Sequence, residues 1–116
     1  MILRHTFSKD SLEGLHFDLL LEDSDSCRTW RLSNIPLVNG PFVKAVPLSP
    51  HNIYCLDREE AAVSGGRGWA KRIVGGTFSG SLPLHKKDQV VIEIKSSSLS
   101  GRLELSQNGC HISCSS

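Results

Sequence analysis

The chain has 116 residues, 39% of them apolar and 22% charged, with a formal net charge of +1. This length carries one hydrophobic core but not two, and the composition excludes both a disordered polymer and a bilayer-crossing run. A dedicated duplex-DNA binder would be far more basic, so any nucleic-acid contact should be small and local. The opening Met1-Ile2-Leu3-Arg4-His5 reaches charge at once, which excludes a signal-peptide core there and makes a cytoplasmic location the expectation.

Apolar residues recur with a period of two, the signature of strands. Leu3, His5 and Phe7 alternate with Ile2, Arg4 and Thr6 in a first strand, and Leu15, Phe17, Leu19 and Leu21 alternate with His16, Asp18, Leu20 and Glu22 in a second. A third strand is predicted from Cys27 to Leu32 around Trp30, a fourth from about Phe42 to Leu48, and a fifth from His51 to Leu56. Trp69 to Val74 reads as a sixth. Val90, Ile92 and Ile94 define a seventh, Leu103 and Leu105 an eighth, and Cys110, Ile112 and Cys114 a short last edge strand. The helical candidate is Asp57 to Val63. Asn39-Gly40, Gly65-Gly66, Gly75-Gly76 and Asn108-Gly109 carry turn chemistry, because glycine and asparagine tolerate positive φ. Pro47 suits an edge or bulge position.

Many short strands with frequent turns predict an all-β fold, a small antiparallel β-barrel of about eight strands with at most short helical turns. The domain is expected over residues 1–107, with 108–116 as a short edge strand or C-terminal tail. Leu15, Phe17, Leu19, Leu21, Trp30, Val90, Ile92, Ile94, Leu103 and Leu105 should form its core. Trp30 and Trp69 read as packing residues before they read as base-stacking platforms.

Four cysteines are present: Cys27, Cys55, Cys110 and Cys114. Cys110 and Cys114 on one strand face would lie ~13 Å apart, too far to bridge each other. His111 points to the opposite face, so structural zinc is disfavoured against core or surface thiols.

The sharpest chemical feature is His16-Phe17-Asp18. Residues two apart on a strand share a face, ~7 Å apart at their bases, so imidazole and carboxylate can converge on one divalent ion. This nitrogen–oxygen mixture suits manganese or zinc. A surface His–Asp hydrogen bond is the plainer alternative. His5 lies on the neighbouring strand, and antiparallel pairing can bring it opposite His16 or Asp18, completing a three-ligand site with open positions. Strict alternation, however, puts His5 on one face with Leu3 and Phe7, which requires an unusual face or a bulge.

His5, then His16-Phe17-Asp18-Leu19-Leu20-Leu21-Glu22, then Arg28-Thr29-Trp30-Arg31-Leu32 and Pro36 resemble the N-terminal half of the 3′-phosphoesterase domain family of bacterial DNA ligase D, in its short stand-alone type. That pattern is an R-H element, a loop, H-W/F-D-L-x-L-E and T-W. In the second half, His51 with Asp57 and Glu59, Val63-Ser64-Gly65-Gly66-Arg67-Gly68, Gly76-Thr77-Phe78, and Leu99-Ser100-Gly101-Arg102-Leu103-Glu104-Leu105 resemble further family elements in the same order. The resemblance spans about residues 2–107.

It implies a small β-barrel enzyme of DNA repair that trims nucleic-acid 3′ ends, removing a 3′-phosphate or terminal ribonucleotides with manganese. By position, His5, His16 and Asp18 would hold the metal, and His51 would sit at the phosphate as binder or general acid. The implied partners are 3′ ends of DNA or RNA-tipped DNA and other end-joining repair proteins, with no membrane. The chain departs from the family at three positions. Leu20 replaces a phosphate-clamping arginine, Ser49 a glutamate and Cys55 a tyrosine. The family's N-terminal arm is expected to be absent here. Leucine cannot replace a guanidinium's charge-assisted hydrogen bonds, so Lys44 and Arg67 are the expected substitutes, Arg67 in a glycine-rich turn whose amides can face an anion. A plain exposed turn arginine is the alternative. Two other functions stay open: a catalytically impaired nucleic-acid-end or phosphate-binding module of the same fold, and a metal-free β-barrel interaction protein.

Overall fold

The computed structural model describes residues 3–10, 16–52, 60–62, 69–83, 88–96 and 99–114, with side chains over 17–50, 74–83, 88–96 and 99–114. Among the described residues there is no helix, and the nine strands are β1 (Leu3–Asp10), β2 (His16–Asp23), β3 (Ser26–Leu32), β4 (Ala45–Asn52), β5 (Glu60–Ala62), β6 (Trp69–Ser79), β7 (Val90–Ser96), β8 (Gly101–Ser106) and β9 (Gly109–Ser113). All strand pairs are antiparallel. The hydrogen-bonded path runs β4-β3-β2-β1-β6-β7-β8-β9, with β5 on β6 off this path.

β6 joins the two halves. It pairs with β1 from Ala70 to Phe78, and its other edge is taken first by β5 and then by β7. Gly75 and Gly76, read above as turn residues, lie inside this strand opposite Thr6 and His5. The pairing partners on both sides override the local turn signal. The register with β1 shifts between Phe7 and Ser8, leaving Ile73 as the extra residue of a bulge.

The helical expectation over Asp57 to Val63 is corrected where it is described: Glu60–Ala62 form β5 against Lys71, Ala70 and Trp69. Seven residues are too few to repay helix nucleation, whereas a strand edge offers ready backbone partners. The predicted fourth strand and the start of the fifth are one strand, β4, containing Pro47 and Pro50. It stands at the end of the path, where a missing N–H costs little. Ser49 and Pro50 together oppose Arg28 in a bulge.

One face of the sheet is the core: Leu19, Leu21, Trp30, Leu32, Phe78, Val90, Ile92, Ile94, Leu103, Leu105, Cys110 and Ile112 are buried in one cluster, with Phe17 half-buried against it. Of the residues expected there, Leu15 lies outside the described residues. Trp30 is a core residue, with the Arg28 guanidinium 5.4 Å from its ring centroid and donating a hydrogen bond to the Pro83 carbonyl. Among the described residues, the backbone hydrogen bonds between the two ends of the path come from residues ahead of β4. Val43 exchanges backbone hydrogen bonds with Cys110 at 2.9 and 2.7 Å, and Asn39 N donates to Ile112 O at 2.7 Å. These are isolated bridges, not a continuous ladder. Asn39 takes the positive φ (62°) its sequence suggested, and its side chain accepts from Cys114 N at 3.0 Å.

Burial pushes the Cys110 thiol up to about 12. At pH 8 it should resist alkylation in the native state, while the exposed Cys114 is modified. Peptide mass spectrometry after brief iodoacetamide treatment measures this, and equal labelling of the two would contradict the burial. The unfolded thiol titrates near 9 and the folded one near 12, so the unfolded chain loses its proton first. This thiol's contribution to stability is therefore full below pH 9 and is lost progressively towards pH 12.

Candidate functional site

The middle of β2 and of β3, over Asp18–Glu22 and Cys27–Trp30, is buried on both faces. Behind the core face, the positions alternating with Leu19 and Leu21 hold Asp18, Leu20 and Glu22 on β2 and Cys27 and Thr29 on β3, all buried. Such a layer of acidic and hydroxyl groups needs partners, because an unpaired buried charge is costly. For Asp18 the partner is Arg31. The two stand directly opposite in the β2–β3 register, and Arg31 Nε donates to Asp18 Oδ1 at 3.2 Å. The Asp18 side chain is 11% exposed and the Arg31 side chain 37%.

The rows of the register locate the other candidates. One row holds Ser8, Asp18, Arg31 and Val46. The next contains Asp10 opposite His16, and one further step of the β2–β3 register brings Ser33 to His16. Ser33 in turn extends the ladder to Lys44: Ser33 N donates to the Lys44 carbonyl at 3.0 Å, and Lys44 N donates to Ser33 Oγ at 3.2 Å. His16, Asp18, Arg31 and Lys44 thus share one corner of the outer sheet face by register position. Lys44 is exposed.

His5 does not come opposite His16 or Asp18. It pairs with Leu21 on β2 and Gly76 on β6, a register position alternating with those of His16 and Asp18. In the β1–β2 register Asp10, not His5, meets His16. His51 pairs with Cys27, in the row of Glu22. Four residues separate that row from Asp18, or ~13 Å along a flat strand. Arg67 lies outside the described residues, as do the side chains of His5, His16 and His51. Among the described residues no three metal-ligating side chains gather at one point.

The sequence reading passed over Arg31 and Asp10. The signal for Arg31 was present: a two-residue turn at Ser24-Asp25 fixes all β2–β3 pairs as equidistant from it, and so sets Arg31 against Asp18. Ser24 carries the positive φ (58°) such a turn requires. Leu20, where the pattern of the resembled family has an arginine, is 2% exposed between Thr6 and Thr29.

No protein-family model matches the chain, and no curated protein matches it. No helix among the described residues is long and apolar enough to cross a membrane.

Proposed function

We propose that the chain is a metal-dependent phosphoesterase-like domain, built as a small β-barrel, that acts on nucleic-acid 3′ ends by removing a 3′-phosphate or a 3′-ribonucleotide. The observation that carries this reading is the buried Asp18 carboxylate, gripped by Arg31 at 3.2 Å, with His16 at the adjoining outer-face position and Lys44 in the same row. The bridges from Val38 and Val43 to β9 support the barrel.

Asp18 and His16 offer the oxygen and nitrogen donors that manganese accepts, and Asp10 is a further oxygen donor opposite His16 by register. His5, the third ligand that the family resemblance implies, pairs with Leu21 at an alternating register position, so the proposed ion rests on His16, Asp18 and Asp10. A divalent ion held there would polarise a phosphoryl oxygen and activate water. Arg31 and Lys44 supply positive charge for the phosphate in place of the arginine replaced by Leu20. His51, and Arg67 with it, keep the end-binding roles the resemblance implies.

The test is a manganese titration of the wild type and His16→Ala, read by calorimetry, beside phosphate release from a 3′-phosphorylated oligonucleotide. Loss of one ligand should weaken binding by about tenfold or more, and release should fall with it. An unchanged isotherm in His16→Ala would remove the metal assignment. Metal binding without release would favour a phosphate-binding module, and equal release by wild type and His51→Ala would discard His51 as an acid.

A further inference from the structure

Leu37, Val38 and Phe42 are large apolar residues left exposed, at 69%, 38% and 43%. They lie in the segment between β3 and β4 that bridges to β9. Within this patch Phe42 stacks on His111, with ring centroids 4.8 Å apart and planes inclined by 27°. The backbone explains the pair. Val43 and Cys110 bridge antiparallel and both contribute to the core, so the adjoining Phe42 and His111 stand together on the outer side.

This platform is continuous with the candidate site. Lys44 lies two residues beyond Phe42, and Val46, two further on, pairs with Arg31. On one outer strand face the order is therefore aromatic pair, lysine, and the row of Arg31 and Asp18. From Phe42 to the row of Val46 is ~13 Å along an extended chain. An aromatic pair followed by cations suits a single-stranded nucleic acid, whose bases stack on aromatic faces while its phosphates meet positive charge.

We propose that Phe42, backed by His111, is a stacking platform for a base of the single strand whose 3′ end enters the Asp18–Arg31 site, with Lys44 holding the intervening phosphate. This rests on the nucleic-acid reading above and adds the subsite that holds the strand. It makes a short single-stranded oligonucleotide, not a mononucleotide, the preferred ligand.

The experiment compares binding of a fluorescent, 3′-phosphorylated single-stranded oligothymidylate with that of the same strand carrying abasic sites near its 3′ end. Both are measured by anisotropy with manganese present, and a nucleoside 3′-phosphate competitor is titrated in parallel. The unaltered protein should bind the abasic strand about tenfold more weakly, a typical loss for one stacked base. Phe42→Ala should show the same weakening with the intact strand and no further loss with the abasic one. Phe42→Trp should keep the affinity, and competition by the mononucleotide should not change in any variant. Equal affinity for intact and abasic strands would overturn the platform while leaving the end-binding reading in place, and would point to a protein partner for the patch. Absence of binding by both the oligonucleotide and the nucleoside phosphate would overturn the platform together with that reading.

Discussion

Gly109→Ala should cost the protein about 3 kcal/mol or more of stability, combining backbone strain with overpacking. Gly109 begins β9 with φ of 116°, a conformation that a side chain disfavours. A Cβ at this position would stand 2.1 Å from the Val43 carbonyl oxygen and 2.9 Å from its carbon. These are backbone atoms of the residue that exchanges two hydrogen bonds with Cys110, so relief requires moving the bridge between the ends of the sheet. A domain's whole stability is about 5–15 kcal/mol, so the effect is large. Asn108→Ala, one residue earlier in the exposed Gln107-Asn108 turn, should stay within about 0.5 kcal/mol. Urea denaturation of the three proteins measures both, and equal midpoints for Gly109→Ala and wild type would show that the bridge yields without cost.

The second large effect is expected at Arg31. Arg31→Met keeps the length and apolar stem of the side chain but leaves the Asp18 carboxylate without its cross-strand cation. The Arg31 side chain is 37% exposed, so solvent screens the pair, and the stability loss should be modest, about 1 kcal/mol. Under the proposed function the rate should suffer far more. Losing one preorganised electrostatic contact costs ~10²–10³-fold, and Arg31 both orients the Asp18 carboxylate and offers charge to the phosphate. Manganese-dependent release from a 3′-phosphorylated strand should therefore fall by about two orders of magnitude in a protein that is still folded. Arg31→Lys should recover part of this, since it keeps charge without the planar fork. If Arg31→Met released phosphate at the wild-type rate, Arg31 would be a structural partner of Asp18 and nothing more.

Period-two alternation was enough to specify most strands and the buried residues Leu19, Leu21, Trp30, Val90, Ile92, Ile94, Leu103 and Leu105, because along the core face of a sheet alternation and burial are the same constraint. The β2–β3 register was equally legible. A two-residue turn leaves no freedom, so counting outward from Ser24-Asp25 pairs Asp18 with Arg31, a step the motif reading did not take.

Long-range pairing was a different matter. The five-residue connection between β1 and β2 permits several registers, and only the joint fit of β1 between β2 and β6 sets His5 against Leu21 and Asp10 against His16. Gly75-Gly76 and Glu60–Ala62 carry local preferences for turn and helix, which cross-strand hydrogen bonding overrode. The Phe42–His111 stack joins residues far apart in the chain and follows from the Val43–Cys110 bridge alone. The sequence by itself therefore determined most of the strands and which of their faces is apolar, since both follow from neighbours along the chain. Tertiary structure decided which polar residues meet across the sheet, since that depends on registers set by distant strands.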